Sequence, residues 1–189
     1  LKDLAICSDG TVYKNINKTY MVRKIEKRLK RLQKQVSRKY EKNKKGKEYV
    51  KTKNIIKLEK QIQQVHRRLA NIRNNYLHQT TTNIVKTKPY RVVIEDLAVS
   101  NMMKNKHLSD AIRKQGFSEF RRQLEYKCNF RGIKLVVADR FYPSSKSCSQ
   151  CGKIKKDLKL KDRVYKCSCG LNIDRDLNAS INLSKYKSA

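Results

Sequence analysis

Four cysteines and two aspartates crowd the end of this chain. Cys148 and Cys151 have two residues between them, Cys167 and Cys169 flank Ser168, and fifteen residues separate the two pairs. Asp174 and Asp176 follow almost at once. Two close pairs of thiols supply the four donors that one tetrahedral zinc ion takes, and the gap between them suits a short zinc ribbon. With every ligand a thiolate, no position stays open for water, so such a site is structural. The single-residue spacer of the second pair predicts a turn that differs from the usual knuckle. Cys7 and Cys128 fall within strand and helix patterns and read as small core residues rather than ligands.

Glu95 is a further chemical candidate. It ends the apolar run Val92, Val93, Ile94, where a carboxylate emerges at the carboxyl edge of a buried strand. Active sites of α/β sheets gather at that edge. Asp174 and Asp176 open the last helical stretch, where an aspartate is often only an N-cap. Carboxylates brought together from such separate places can hold divalent metal. Two hard cations about 4 Å apart activate water and stabilise the leaving oxygen in phosphodiester cleavage.

The elements that must position these groups are readable from periodicity. Leu4 to Cys7 and Thr11 to Lys14 flank Ser8, Asp9 and Gly10, and Asp-Gly between short β-prone runs predicts a hairpin. From Lys18 the period becomes helical. Val22, Ile25, Leu29, Leu32 and Val36 form one heptad seam; Leu58, Ile62, Val65, Leu69, Ile72 and Tyr76 form a second. A polar, glycine-containing connection over Glu41–Lys47 predicts an antiparallel helical hairpin. Pro89 closes this region. Arg91–Glu95 and Ile133–Ala138 read as buried strands, Leu108–Arg131 as an amphipathic helix anchored by Ile112, Phe120, Leu124 and Cys128, and Asp176–Tyr186 as a final helix.

Charge narrows the partners. The chain of 189 residues carries 47 Lys and Arg against 16 Asp and Glu, a net of +31. Between Lys18 and Arg73 there are 21 basic and four acidic residues, a local balance of +17. That ratio is too one-sided for salt-bridge lacing and predicts contact with nucleic-acid phosphates. No run of about 18 apolar residues is present to span a bilayer, and the first residues lack a signal-peptide pattern. The expected location is cytoplasmic and nucleoid-associated, where reducing conditions favour metal over disulfides for paired cysteines. The chain opens on Leu1, and the strand-like run that follows predicts a piece of a longer protein.

At these residues the chain resembles the C-terminal half of the transposon-encoded TnpB (OrfB) proteins, relatives of the type V CRISPR effector nucleases. The resemblance rests on Asp3–Gly10, on Ile94–Leu97 with Asn101 and Met102, on Phe117–Lys127, on Pro143–Cys148 and on Asp174–Asn182. It implies an α/β, RuvC-like RNase H-type fold with its N-terminal strand missing, interrupted by an antiparallel helical hairpin and a zinc ribbon. The implied segments are a β-hairpin over 1–17, the basic helical hairpin over 18–88, the continued RuvC-like core over 89–143, the ribbon over 144–171 and the final helix over 172–189.

The implied activity is that of a transposon-associated, RNA-guided DNA endonuclease using Mg²⁺ or Mn²⁺, with DNA and guide RNA as partners and structural Zn²⁺ on Cys148, Cys151, Cys167 and Cys169. Carried over residue by residue, Glu95 matches the family's second catalytic acid and Asp176 the third, with Asp174 as the other choice. The first catalytic Asp lies on a strand just before the segment that begins at Leu1. Neither Asp3 nor Asp9 matches it. The alternative is a catalytically inactive remnant that acts only as a zinc-containing nucleic-acid-binding module.

Overall fold

The computed structural model describes residues 2–159 and 161–187. The chain forms two compact units, one of Leu1–Asn15 with Leu77–Ala189, the other of Ile16–Tyr76.

The first unit opens with strands β1 (Asp3–Ile6) and β2 (Val12–Lys14), paired antiparallel. Asp9 makes the turn between them: its carboxylate accepts from the Thr11 N–H at 2.8 Å, and Gly10 takes the left-handed φ of +88°. That hydrogen bond, then a second from the Thr11 side chain, lowers the Asp9 pKa. Asp9 is a turn residue.

The second unit holds helix α1 (Tyr20–Lys42) and most of helix α2 (Lys53–Lys86). Thr19 caps α1, its Oγ1 accepting from the Val22 N–H at 3.5 Å. The expected seams make the core: Val22, Ile25, Leu29 and Leu32 of α1 are buried with Val65 and Leu69 of α2, and Leu58, Ile62 and Ile72 pack against them. Cross-contacts run in opposite directions along the chain, as antiparallel helices require. Arg73 pairs with Glu26 at 2.9 Å, and the Tyr40 hydroxyl donates to Glu59 at 2.7 Å. The connection is more ordered than a plain polar loop. It forms a miniature hairpin, β3 (Lys44–Lys45) against β4 (Glu48–Tyr49), turning at Gly46 with φ +59°.

The end of α2 re-enters the first unit. There β5 (Arg91–Glu95) pairs in parallel with β6 (Lys134–Ala138), in register from Arg91↔Lys134 to Glu95↔Ala138. Parallel strands need a crossover, and α3 (Val99–Met103), α4 (Ser109–Gln115) and α5 (Phe117–Phe130) supply it. Val85, Leu124, Cys128 and Ile133 form the core beneath the sheet. Cys128 is therefore a core residue, and burial pushes its thiol up. The ribbon follows, with β7 (Val164–Lys166) antiparallel to β8 (Asn172–Asp174), and α6 (Arg175–Ser184) ends the unit. Among the described residues no helix is long and apolar enough to cross a membrane.

The sequence pattern predicts one helix from Leu108 to Arg131, and the structure breaks it at Gly116. Gly116 sits at φ +69°, ends α4 and lets α5 start in a new direction. Ile112 and Leu124 are buried on either side of the break, so the apolar period runs through it unbroken. A Cβ at this glycine would stand 3.0 Å from Leu77 Cδ1. Left-handed backbone costs a residue with a side chain about 1 to 2 kcal/mol. Gly116→Ala is expected to lower unfolding free energy by at least that amount in urea titration; an unchanged midpoint would show that the α4–α5 junction tolerates the side chain.

Candidate active-site cleft and cysteine cluster

The four predicted ligands converge. The sulfur atoms of Cys148, Cys151, Cys167 and Cys169 all lie within 4.8 Å of one another, with Cys148 to Cys169 and Cys151 to Cys167 each at 3.6 Å. Two glycine-ended turns produce this. In the first, the Cys148 N–H donates to Lys153 and the Gly152 N–H to Cys148; in the second, the Cys167 N–H donates to Leu171 and the Gly170 N–H to Cys167. Gly152 and Gly170 both take positive φ, +76° and +94°. The shorter spacer of the second pair is absorbed by the tight β7–β8 turn.

Tyr165 staples the two turns together. It is fully buried, and its hydroxyl donates toward the carbonyls of Lys146 (3.0 Å) and Lys153 (3.2 Å). Electrostatics within the cluster favour a cation. The Cys169 N–H and the neighbouring thiols lower Cys167 to about 6. The Leu171 N–H also favours a thiolate at Cys169, but desolvation and the other cysteines outweigh it and push that thiol up to about 12. Sulfurs this close resist ionising together unless a positive ion sits among them, and the closed four-thiol donor set fits one tetrahedral metal ion.

A second site opens at the carboxyl end of β5. A cleft of about 1030 Å³ is lined by Lys2–Ile6 along β1, Val93–Glu95 of β5, faces of α5 and α6, and Arg140 and Arg163. Glu95 and Asp176, 81 positions apart in sequence, both line it. Glu95 is exposed at the strand end, and its Oε1 accepts from the Ser144 hydroxyl at 2.8 Å. Asp176 lies 3.3 Å from Arg175.

The two adjacent aspartates separate cleanly. Asp174 Oδ1 accepts from the N–H groups of Asp176 (2.9 Å) and Leu177 (3.2 Å), the geometry of an N-cap. Asp174 does not line the cleft, whereas Asp176 does. Asp96, next to Glu95, is neutralised by Arg121 and Arg140 at 3.4 and 2.5 Å.

Sequence reasoning missed three features here. Asp3, half-buried, also lines the cleft. Ser144 reaches Glu95. Asn178 and Asn182, both buried, turn their amides toward the loop before the cysteines. The last had a signal, because asparagine competes with the helical backbone and is disfavoured within a helix unless something else binds it.

Residues 1–106 match the OrfB family of IS605, described as a probable transposase, and residues 117–183 match the Cas12f1-like TNB domain. The chain belongs to the TnpB (OrfB) family. It is 42% identical over 130 residues to a protein of Streptomyces pristinaespiralis named as a candidate RNA-guided DNA endonuclease, a match covering 69% of this chain and 32% of that one. It is 35% identical over 196 residues to InsQ of Escherichia coli K12, named likewise, covering 95% of this chain and 45% of InsQ. The chain thus spans less than half the length of these TnpB-type relatives. The Cas12f1 chain in a cryo-EM complex with sgRNA and target DNA shares the fold, with TM-score 0.60 and 19% identity over 92% of this chain and 43% of that one.

The different duties of the two aspartates give a direct test. Asp174→Ala is expected to cost about 1 kcal/mol of stability through the lost cap, and Asp176→Ala less than about 0.5 kcal/mol. Equal losses in chemical denaturation would contradict the assignment of the cap to Asp174.

Proposed function

We propose that this chain is part of a TnpB-type, RNA-guided, divalent-metal-dependent DNA endonuclease, with Glu95 and Asp176 as two of its metal-binding acids. The supporting observation is that these two residues, far apart in sequence, face one cleft at the carboxyl end of a parallel strand pair. The names of the relatives agree with that chemistry. Mg²⁺ or Mn²⁺ bound there would supply the Lewis acidity that phosphodiester hydrolysis needs. Glu95 and Asp176 would hold it through carboxylate oxygens. Arg163 and Arg175, which also line the cleft, would draw the anionic backbone toward the acids.

A RuvC-like, RNase H-type reading calls for a third acid on one more strand. The cleft is suited to receive a strand. Lys2 and all four residues of β1 border it, β1 and β5 belong to separate two-stranded sheets, and α6 packs against both. We infer that the longer protein supplies that strand and its carboxylate. The four-cysteine cluster would hold structural Zn²⁺, fixing the ribbon beside the cleft.

The α1–α2 unit would bind nucleic-acid phosphates, DNA or guide RNA. Arg23, Lys24, Lys27, Arg28, Arg31 and Lys34 are all exposed along α1. The segment's four acids can neutralise only a few of its 21 basic residues. Binding through such a face releases counterions and weakens steeply with salt.

The experiment uses the purified chain with single-stranded DNA and Mg²⁺. The expected result is salt-sensitive binding, about one zinc per chain by elemental analysis, and little or no cutting, because on this reading the third acid comes from outside the chain. Robust cutting that Glu95→Ala abolishes would overturn the need for a third acid from outside. Salt-independent binding would remove the phosphate role of the helical hairpin, and a zinc-free, fully folded protein would remove the ribbon assignment.

A further inference from the structure

Ser144 makes a contact that neither the fold nor the cysteine cluster requires. It is 6% exposed, and its hydroxyl donates to Glu95 Oε1 at 2.8 Å. A glutamate at an exposed strand end has three rotatable bonds, and holding it in one rotamer is entropically costly. A hydrogen bond from a fixed donor removes much of that freedom. It also occupies one carboxylate oxygen from the side and leaves the other available to the cleft.

Ser144 can do this only if the loop that carries it is held, and the loop is held at several points. The Asn182 amide donates both of its hydrogens to the loop, to the carbonyls of Ser144 and Ser147, each at 2.7 Å. Asn178, one helical turn earlier on the same face of α6, donates to the Ser147 carbonyl at 2.7 Å and accepts from the Ser149 N–H at 2.9 Å. The Ser147 N–H closes the turn on Pro143 at 2.9 Å. The next residue is the ligand Cys148. Thus α6, which carries Asp176 at its first turn, also grips the loop that carries Ser144, and that loop runs directly into the cysteine cluster.

We propose that Ser144 is a positioning residue for Glu95, held to that task by Asn178 and Asn182 of α6, so that the two cleft acids are oriented by one helix. The inference rests on the reading of Glu95 and Asp176 as metal-binding acids. Partners that orient metal-ligating carboxylates typically matter about 10- to 100-fold in metal affinity. Threonine, which keeps the hydroxyl, should substitute for Ser144; alanine should not.

The test is Mn²⁺ binding to the full chain, followed by electron paramagnetic resonance, with zinc content and thermal midpoint measured on each variant. Ser144→Ala is expected to weaken Mn²⁺ binding about tenfold or more while keeping its zinc and its midpoint, and Ser144→Thr to restore most of the affinity. Glu95→Gln separates the acid role of Glu95 from the positioning role of Ser144. If Glu95→Gln weakens Mn²⁺ binding but Ser144→Ala does not, the positioning role falls and the acid assignment stands. If Glu95→Gln leaves Mn²⁺ binding unchanged, or the unaltered chain binds none, both fall. Loss of zinc or of the folded midpoint in Ser144→Ala would overturn the inference by showing that the serine serves the loop's fold instead.

Discussion

Two buried asparagine side chains bear the main constraint on the chemical end of this molecule. An amide sealed from water must find partners, because an unmet buried donor or acceptor costs about 1 to 3 kcal/mol. Asn178 and Asn182 meet that demand with backbone groups of the loop over residues 144–149. The helix that carries them therefore cannot shift without breaking four hydrogen bonds, and the loop cannot shift without stranding two amides. Everything attached to either partner inherits the same reference frame: Asp176 and its N-cap Asp174 on the helix, Ser144 and Cys148 on the loop. Among the described residues no buried side-chain polar atom lacks a hydrogen-bond partner, so the arrangement is internally consistent.

The helical hairpin obeys a different constraint. Its core is a single apolar seam, and the rest of its surface is basic. Lys51 pairs with Glu59 and Arg73 with Glu26, which leaves a large excess of positive charge on the surface. Stability there comes from the seam, and the proposed phosphate contacts from the face opposite it. The two can change independently, because surface lysines contribute little to packing.

Much of this was legible in sequence where one local rule sufficed. The Asp9–Gly10 turn, the two heptad seams, β5 and the pairing of cysteines each followed from spacing or residue type alone. The misses share a cause, which is that tertiary partners decided them. The apolar period from Ile112 to Cys128 continues across Gly116, and only the left-handed glycine and the closeness of Leu77 reveal the break. Asp174 and Asp176 are the same residue type two positions apart, and only the helix start tells the cap from the acid at the cleft. Ser144 lies in a serine-rich stretch whose resemblance to the family assigns the serine no role, and its proposed importance comes from Glu95, a residue 49 positions away.

Glu95 and Asp176 are proposed to form one metal-binding site. The most direct measurement is anomalous diffraction from a crystal of the chain soaked in Mn²⁺. A manganese peak is expected in the cleft within coordination distance of both carboxylates. A manganese peak elsewhere, with the cleft empty and the two acids apart, would contradict it.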